Sequence, residues 1–255
     1  MLRFASILFC FFQLLINCRT LQVKKSISGI CIKRDIPIVD TIVNNKWTVR
    51  KTIPGYTKLY FYENLTIAQV SISIKHISIV NGVQVSRSQN KQTFNTIIYS
   101  DSFNNALLCD SNNLLTAKLI DKDSLLKNQW AFQDFFAQTF ESTFHKLISS
   151  KKDVNGDKIE ENSWAVKNDT TFSGIWKFRF SSRKFQDIPY SLSKRIEKIK
   201  SLKLIEYTVT SNPRNLGNGQ LPIDKVEMPV SMSSIKVENE IELMEMFRFA
   251  KEKLK

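Results

Sequence analysis

The chain has 255 residues, an apolar fraction of 42% and a formal charge of +13. That apolar fraction excludes wholesale disorder, and four cysteines are too few for a disulfide-built scaffold of this length. One large domain or two small ones fit the length, and the excess of positive charge points toward anionic partners.

Met1–Cys18 (MLRFASILFCFFQLLINC) carries Arg3 and then an uncharged run from Phe4 to Ile16. That run is shorter than the roughly 20 residues of a transmembrane helix. With its basic start it predicts a cleaved signal peptide and a secreted chain. No later stretch is long and apolar enough to span a membrane, so no transmembrane segment is expected in the mature chain. From Arg19 to Lys58 nine basic residues face only Asp35 and Asp40, and Arg19–Arg34 has no acid. Residues 19–35 therefore read as a basic flexible or transit-like segment. A signal peptide followed by such a stretch resembles the bipartite leaders of plastid-targeted proteins in lineages of algal descent. The resemblance implies a plastid-type organelle as the alternative destination, and a nucleic-acid or ribosome-associated protein as the alternative function. Cys31 and Cys109 are the pair outside the leader. In an oxidising compartment they are candidates for a disulfide, worth roughly 4–5 kcal/mol for the loop they would close.

Ile36–Val43 is short, apolar and β-branched and predicts a strand. Trp47–Ile53 and Lys58–Glu63 predict two more, with Pro54-Gly55 turning between them. Thr66–Val80 reads as a long strand with a bulge near Lys75-His76. Asn81-Gly82 between Ile79-Val80 and Val83-Gln84-Val85 predicts a hairpin. Thr93–Tyr99 predicts a strand, and Ala106–Ile120 reads as mostly strand or irregular.

Ser124–Ser150 is the longest periodic segment. Phe132, Phe136, Phe140, Phe144 and Ile148 recur every four residues, and Leu125, Leu126, Trp130, Ala137 and Leu147 share their arc. Asp121 and Asp123 stand where an N-cap and a favourable dipole charge belong. The expectation is one central helix over about 124–150, about 37 Å long. Lys151–Glu161 follows as a polar loop. Its Asp153, Asn155, Asp157 and Glu160 suggest calcium, but the sixth and twelfth positions are Lys158 and Trp164, so a turn at Asn155-Gly156 is expected instead.

Thr171–Ser181 alternates Trp176, Phe178 and Phe180 with Lys177, Arg179 and Ser181, a strand with one aromatic face. Pro189–Leu202 predicts a second helix with the stripe Ile188, Leu192, Ile196, Ile199 and Leu202. Lys203–Thr210 predicts a strand. Val226–Val237 predicts extended chain, which Pro229 confines to an edge or a break. Asn239 with Glu242 imitates a capping box, opening a last helix that buries Ile241, Met244, Phe247 and Leu254. The resulting fold class is α+β, an antiparallel sheet packed against a long central helix with a C-terminal helix. Residues 36–255 form one domain, with 151–163 as the possible seam.

Signatures of chemistry are sparse. Nucleotide-binding glycine motifs, a Gly-x-Ser-x-Gly elbow and a His-Glu-x-x-His helix are all missing. His76 and His145 are the only histidines, and with Cys31 and Cys109 they lack metal-ligand spacing. A Cys109/His145 nucleophile pair is the one catalytic arrangement these residues permit. No catalytic residue, metal or cofactor is therefore assigned. The positive signal is a basic cluster: Lys177, Arg179, Arg183, Lys184, Lys194, Arg195, Lys198 and Lys200, interleaved with aromatic residues. It predicts a non-enzymatic binding protein whose basic face meets nucleic acid, a glycosaminoglycan or a membrane surface. A pocket-type lipid carrier, or an enzyme whose pocket comes from the fold alone, is the further alternative. Asn64-Leu-Thr66 and Asn168-Asp-Thr170 are glycosylation sequons.

Overall fold

A computed structural model describes residues 26–73, 78–80, 83–85, 92–214 and 222–254. The strands are β1 Ser28–Val43, β2 Lys46–Tyr62, β3 Leu65–Ser73, β4 Ser78–Val80, β5 Val83–Val85, β6 Gln92–Ser100, β7 Asn105–Asp110 and β8 Lys118–Asp121. They continue with β9 Thr143–Lys152, β10 Lys158–Val166, β11 Asp169–Ser181, β12 Lys203–Ser211 and β13 Val226–Ser234. The helices are α1 Lys122–Lys127, α2 Phe135–Ser142, α3 Lys194–Lys200 and α4 Glu240–Lys253.

Eleven strands form one antiparallel sheet in the order β8-β7-β6-β3-β2-β1-β13-β12-β11-β10-β9. Each half is a meander of neighbouring strands, and the halves meet where β1 pairs with β13, Ile30 opposite Ser234 and Arg34 opposite Val230. The β1–β2 turn is Asn44-Asn45, both in the left-handed region (φ 50° and 57°), which suits the twist of a tight hairpin. The expected hairpin at 78–85 is present as β4–β5, with Val80 opposite Val83. Its turn residues Asn81-Gly82, like the expected bulge at Lys75-His76, lie outside the described residues, as does the leader Met1–Cys18.

The sheet curls around one core. Side chains from β7 round to β10 join a single cluster with residues from 125–140 and 185–202. A chain of rings shows the curl: Tyr99 on β6 meets Phe132 at 5.6 Å and Phe132 meets Tyr190 at 6.3 Å. Phe136 then meets Trp176 of β11 at 5.3 Å and Tyr207 of β12 at 5.0 Å. A second, smaller core lies on the other face, where Leu243, Met246, Phe247 and Ala250 of α4 cover Tyr60, Ile67 and Ile98.

The α+β class built on a long central helix is corrected: the molecule is mostly sheet. The stretch expected as one helix over 124–150 is α1, a 3-10 turn at Trp130–Phe132, α2, and then strand β9. The reason is local and then tertiary. Asp134 starts a new helix by accepting from Phe136 N–H at 3.0 Å. The Thr139, Ser142 and Thr143 hydroxyls donate to the Phe135 and Thr139 carbonyls, competing with the helix ladder at its last turn. From Thr143 on, pairing with β10 takes over. Phe136 is fully buried, but Phe144 is 60% and Ile148 56% exposed on the edge strand. Asp121 does cap α1, accepting from Ser124 N–H at 2.8 Å, and Asp123 stands in its first turn. The segment from α1 to α2 carries the chain from one sheet edge, β8, across the concave face to the other, β9.

Four smaller expectations also change. β2 runs straight through Pro54-Gly55, because Pro54 and Gly55 pair with Asp35 and Arg34. Pro229 sits in an interior strand, one residue beyond the last β1 pair, where no ladder bond is required on that side. The second helix is only Lys194–Lys200, since Ser193 caps it by accepting from Ile196 N–H at 3.2 Å. α4 buries Leu243, Met246, Phe247 and Ala250, while Ile241 is 81% exposed. The possible seam at 151–163 is the hairpin joining β9 to β10, turning at Asn155-Gly156 as expected, with Gly156 at φ 79°. Part of the basic 19–35 segment is central: Ile30 and Ile32 of β1 are fully buried.

Candidate functional site

Strand pairing first decides what the basic cluster becomes. Trp176, Phe178 and Phe180 face the core, which turns Lys177 and Arg179 outward. Lys177 lies directly across from Glu161, at 3.7 Å, and Arg179 directly across from Glu206, at 3.6 Å. Arg195 pairs with Glu141 at 2.7 Å and lies over the Phe140 ring. Lys184 pairs with Asp157 at 3.0 Å, and Lys200 with Glu160 at 2.7 Å. Asp157 and Glu160 are themselves buried. Burial alone would raise both carboxyls. For Asp157 the hydrogen bonds from Lys184 and Ser181, with the Lys184 and Arg179 charges, outweigh it. For Glu160, Lys158 and Lys200 do the same. Both acids stay below their usual range. Arg183, Lys194 and Lys198 have no ion pair among the described residues. The cluster is therefore divided by the sheet, Lys177 and Arg179 on its outer face and Arg195 and Lys200 from α3 on its inner face, and five of the eight charges are met by acids.

The other sequence candidates are scattered. Cys31, Lys58, Gln69, Thr96 and Cys109 form one row of partners across β1, β2, β3, β6 and β7. Four strand spacings separate the two sulfurs' residues, roughly 19 Å, whereas a disulfide needs Cα atoms within about 7 Å. Both are free thiols, and burial raises both pKa values. Cys109 and His145 stand on opposite halves of the sheet, on β7 and β9, so they do not meet. His145 lies against Phe140 at 3.9 Å and Trp176 at 5.9 Å. Burial first, then the Lys167 and Lys200 charges, lower its pKa, opposed by a Thr143 backbone bond. His76 lies outside the described residues. Among the described residues no group of three His, Cys, Asp or Glu side chains could hold a metal. Asn64 and Asn168 both sit exposed in hairpin turns, between β2 and β3 and between β10 and β11.

What the sequence did not reveal is an apolar cavity of about 290 Å³ between α2 and the sheet. Its floor is two cross-strand rows. One runs Trp176, Val209, Met228 over β11, β12 and β13. The other runs Trp164, Gly174, Ser211, Val226 from β10 to β13, of which Trp164, Ser211 and Val226 line the cavity. Phe135 and Thr139 of α2 form the roof and Pro37 of β1 one end. The hydroxyls of Thr139, Ser142 and Thr143 are spent on carbonyls of α2, so these residues turn apolar surface inward. The indole Nε1 atoms of Trp164 and Trp176 are buried and have no hydrogen-bond partner. An unpaired buried donor is costly, so these two are anomalies of the wall.

A larger cleft of about 450 Å³ lies near the start of α4. Three of its polar side chains are linked to one another: Gln69 donates to Asn112 at 2.9 Å and Asn112 donates to Glu242 at 2.8 Å. Fold and cavity together define a curled antiparallel sheet protein with an apolar pocket between α2 and the sheet. No family model matches the chain, and no curated protein matches it in sequence.

Proposed function

We propose that this chain is a non-enzymatic binding protein that holds a small apolar molecule between its sheet and α2. The observation that carries this reading is the cavity, about 290 Å³ and walled by Trp164, Phe172, Trp176, Val209 and Met228. A dry apolar cavity of about 150 Å³ accepts benzene, so this one has room for two fused rings or a short acyl chain. Sites for small ligands are mostly apolar with a few polar groups, and this lining sets Thr139, Ser142, Thr143 and Ser211 among its apolar side chains. The leader reading makes the secretory route the place of action, or a plastid-type organelle through a bipartite leader. Exposed hairpin turns at Asn64 and Asn168 suit glycans on such a route.

A second reading, an anionic partner for the basic residues, rests on Arg183, Lys194 and Lys198, which lack ion pairs among the described residues. It has fewer free charges than the sequence count suggested.

The test of the cavity is a titration with naphthalene, followed by tryptophan fluorescence. Trp164 and Trp176 line the cavity, so saturable one-to-one binding changes their emission. Val209→Phe fills the floor between Trp176 and Met228, at an overpacking cost of about 1–3 kcal/mol, and abolishes that binding. No saturable change in the native chain, or equal binding by Val209→Phe, refutes the reading.

A further inference from the structure

Arg34 is a cation in an apolar place. It stands on β1, the central strand, beside Ile32 and opposite Gly55. An added Cβ at Gly55 would come within 3.3 Å of the Trp130 ring, so the glycine lets that ring settle here. The Arg34 guanidinium lies 5.6 Å from the Trp130 ring centroid. Its Nη2 donates to the Met228 sulfur at 3.1 Å. Its Nε is buried and has no partner. Among the described residues no carboxylate forms an ion pair with it; the nearby Asp35 pairs with Lys33 at 3.4 Å. Tyr207, whose pKa burial pushes up to about 12, feels the opposing pull of the Arg34 charge.

This is an unmet need with a direction. Guanidinium presents five donors in a fork that matches a carboxylate, and a thioether is among the weakest acceptors a protein contains. Met228, which occupies the fork, is also part of the cavity floor. The cation therefore lies one side chain away from the apolar chamber. Arg34 is half-buried, with its Nε atom shut away from solvent, and a ligand carboxylate gives the guanidinium a far better acceptor than the thioether does.

We propose that Arg34 is the headgroup site of the cavity, and that the ligand is an apolar monocarboxylate of about ten to twelve heavy atoms. This rests on the reading of the cavity as a ligand site. The size follows from the chamber, about twice the volume of one that holds benzene. The single negative charge follows from the one guanidinium that contacts the cavity floor among the described residues, through Met228. The carboxylate displaces the Met228 sulfur from Nη2 and takes Nε as well. The apolar body extends under α2 toward Trp176 and Trp164.

The experiment compares decanoate with 1-decanol by tryptophan fluorescence, in the native chain and in Arg34→Met. Methionine removes the charge and keeps an apolar, flexible filler, so the fold is expected to persist. Decanoate is expected to bind the native chain at least about tenfold tighter than decanol, the least a charge-assisted pair gives. In Arg34→Met that advantage is lost while decanol binding is unchanged, which also reports an intact cavity. Equal affinity of acid and alcohol for the native chain overturns the role of Arg34 and leaves the cavity reading standing. If neither binds, the cavity reading itself fails. Should Arg34→Met not fold, the acid–alcohol ratio in the native chain still decides.

Discussion

Phe136→Ala and Phe144→Ala, made separately, distinguish the observed chain path from a continuous helix. The two residues are eight apart and would share one stripe of such a helix, so both would be buried alike. In the structure Phe136 is 0% exposed and Phe144 60% exposed. Removing a buried phenylalanine costs about 3–5 kcal/mol. Phe136 also meets Trp176, Phe178 and Tyr207 ring to edge at 5.0–5.3 Å. Each such pair is worth about 0.5–1.5 kcal/mol beyond area. The loss should therefore lie at the top of the range, about 5 kcal/mol. That is a third or more of the stability of an ordinary domain, about 5–15 kcal/mol. In urea, with a slope of about 2.5 kcal/mol/M, the midpoint falls by about 2 M at constant slope. Phe144→Ala sits on an edge strand in solvent and stays within about 0.5 kcal/mol of the native chain. Circular dichroism of both variants across a urea series gives the two numbers. Equal losses, or a loss below about 1 kcal/mol for Phe136→Ala, would refute the packing described.

Gly174→Ala places a Cβ 1.8 Å from the Thr210 carbonyl oxygen, a backbone atom that cannot step aside. The expected result is loss of soluble folded protein, whereas Gly156→Ala, with open space and only its φ of 79° to strain it, still folds; solubility and near-ultraviolet circular dichroism separate the two. Asp157 and Glu160 are held below their ordinary values of 3.8 and 4.5 in the folded state. Fewer protons bind to the folded chain there, so their stabilisation is complete above about pH 4.5 and is lost as the pH falls through the lowered values. Lys200→Met removes the partner 2.7 Å from buried Glu160 and should shift acid unfolding to higher pH; an unchanged acid midpoint would show that the pair contributes nothing.

The elements that are legible in the sequence are those whose pattern and pairing are local. The Val80–Val83 hairpin, the alternation through Trp176, Phe178 and Phe180, and α4 with Asn239 at its cap all follow from neighbours within a few residues. The Phe132–Ile148 repeat misleads because a period of four also runs on past the end of α2. What turns Thr143 into a strand is His145 opposite Trp164 and its neighbours, which periodicity cannot register. The basic cluster misleads for a related reason. Counting along the chain finds Lys177 and Arg179 without acids, yet Glu161 and Glu206 arrive across the ladder. The cavity is the extreme case. Its floor brings Trp176, Val209 and Met228 together through pairings alone, and no motif announces a space left empty.

The joint between β1 and β13 has a further consequence for how the molecule is made. Ile30 and Ser234 stand opposite each other with nearly the whole chain between them. On a ribosome β1 emerges early and can pair with β2, yet its other edge stays open until the last strand leaves the tunnel. An open edge with buried-type residues such as Ile30 and Ile32 is a template for wrong partners. Contacts of such long range also slow the final step, because loop closure must precede any gain. The same joint that makes one continuous sheet of two meanders therefore leaves the nascent chain exposed longest at its centre.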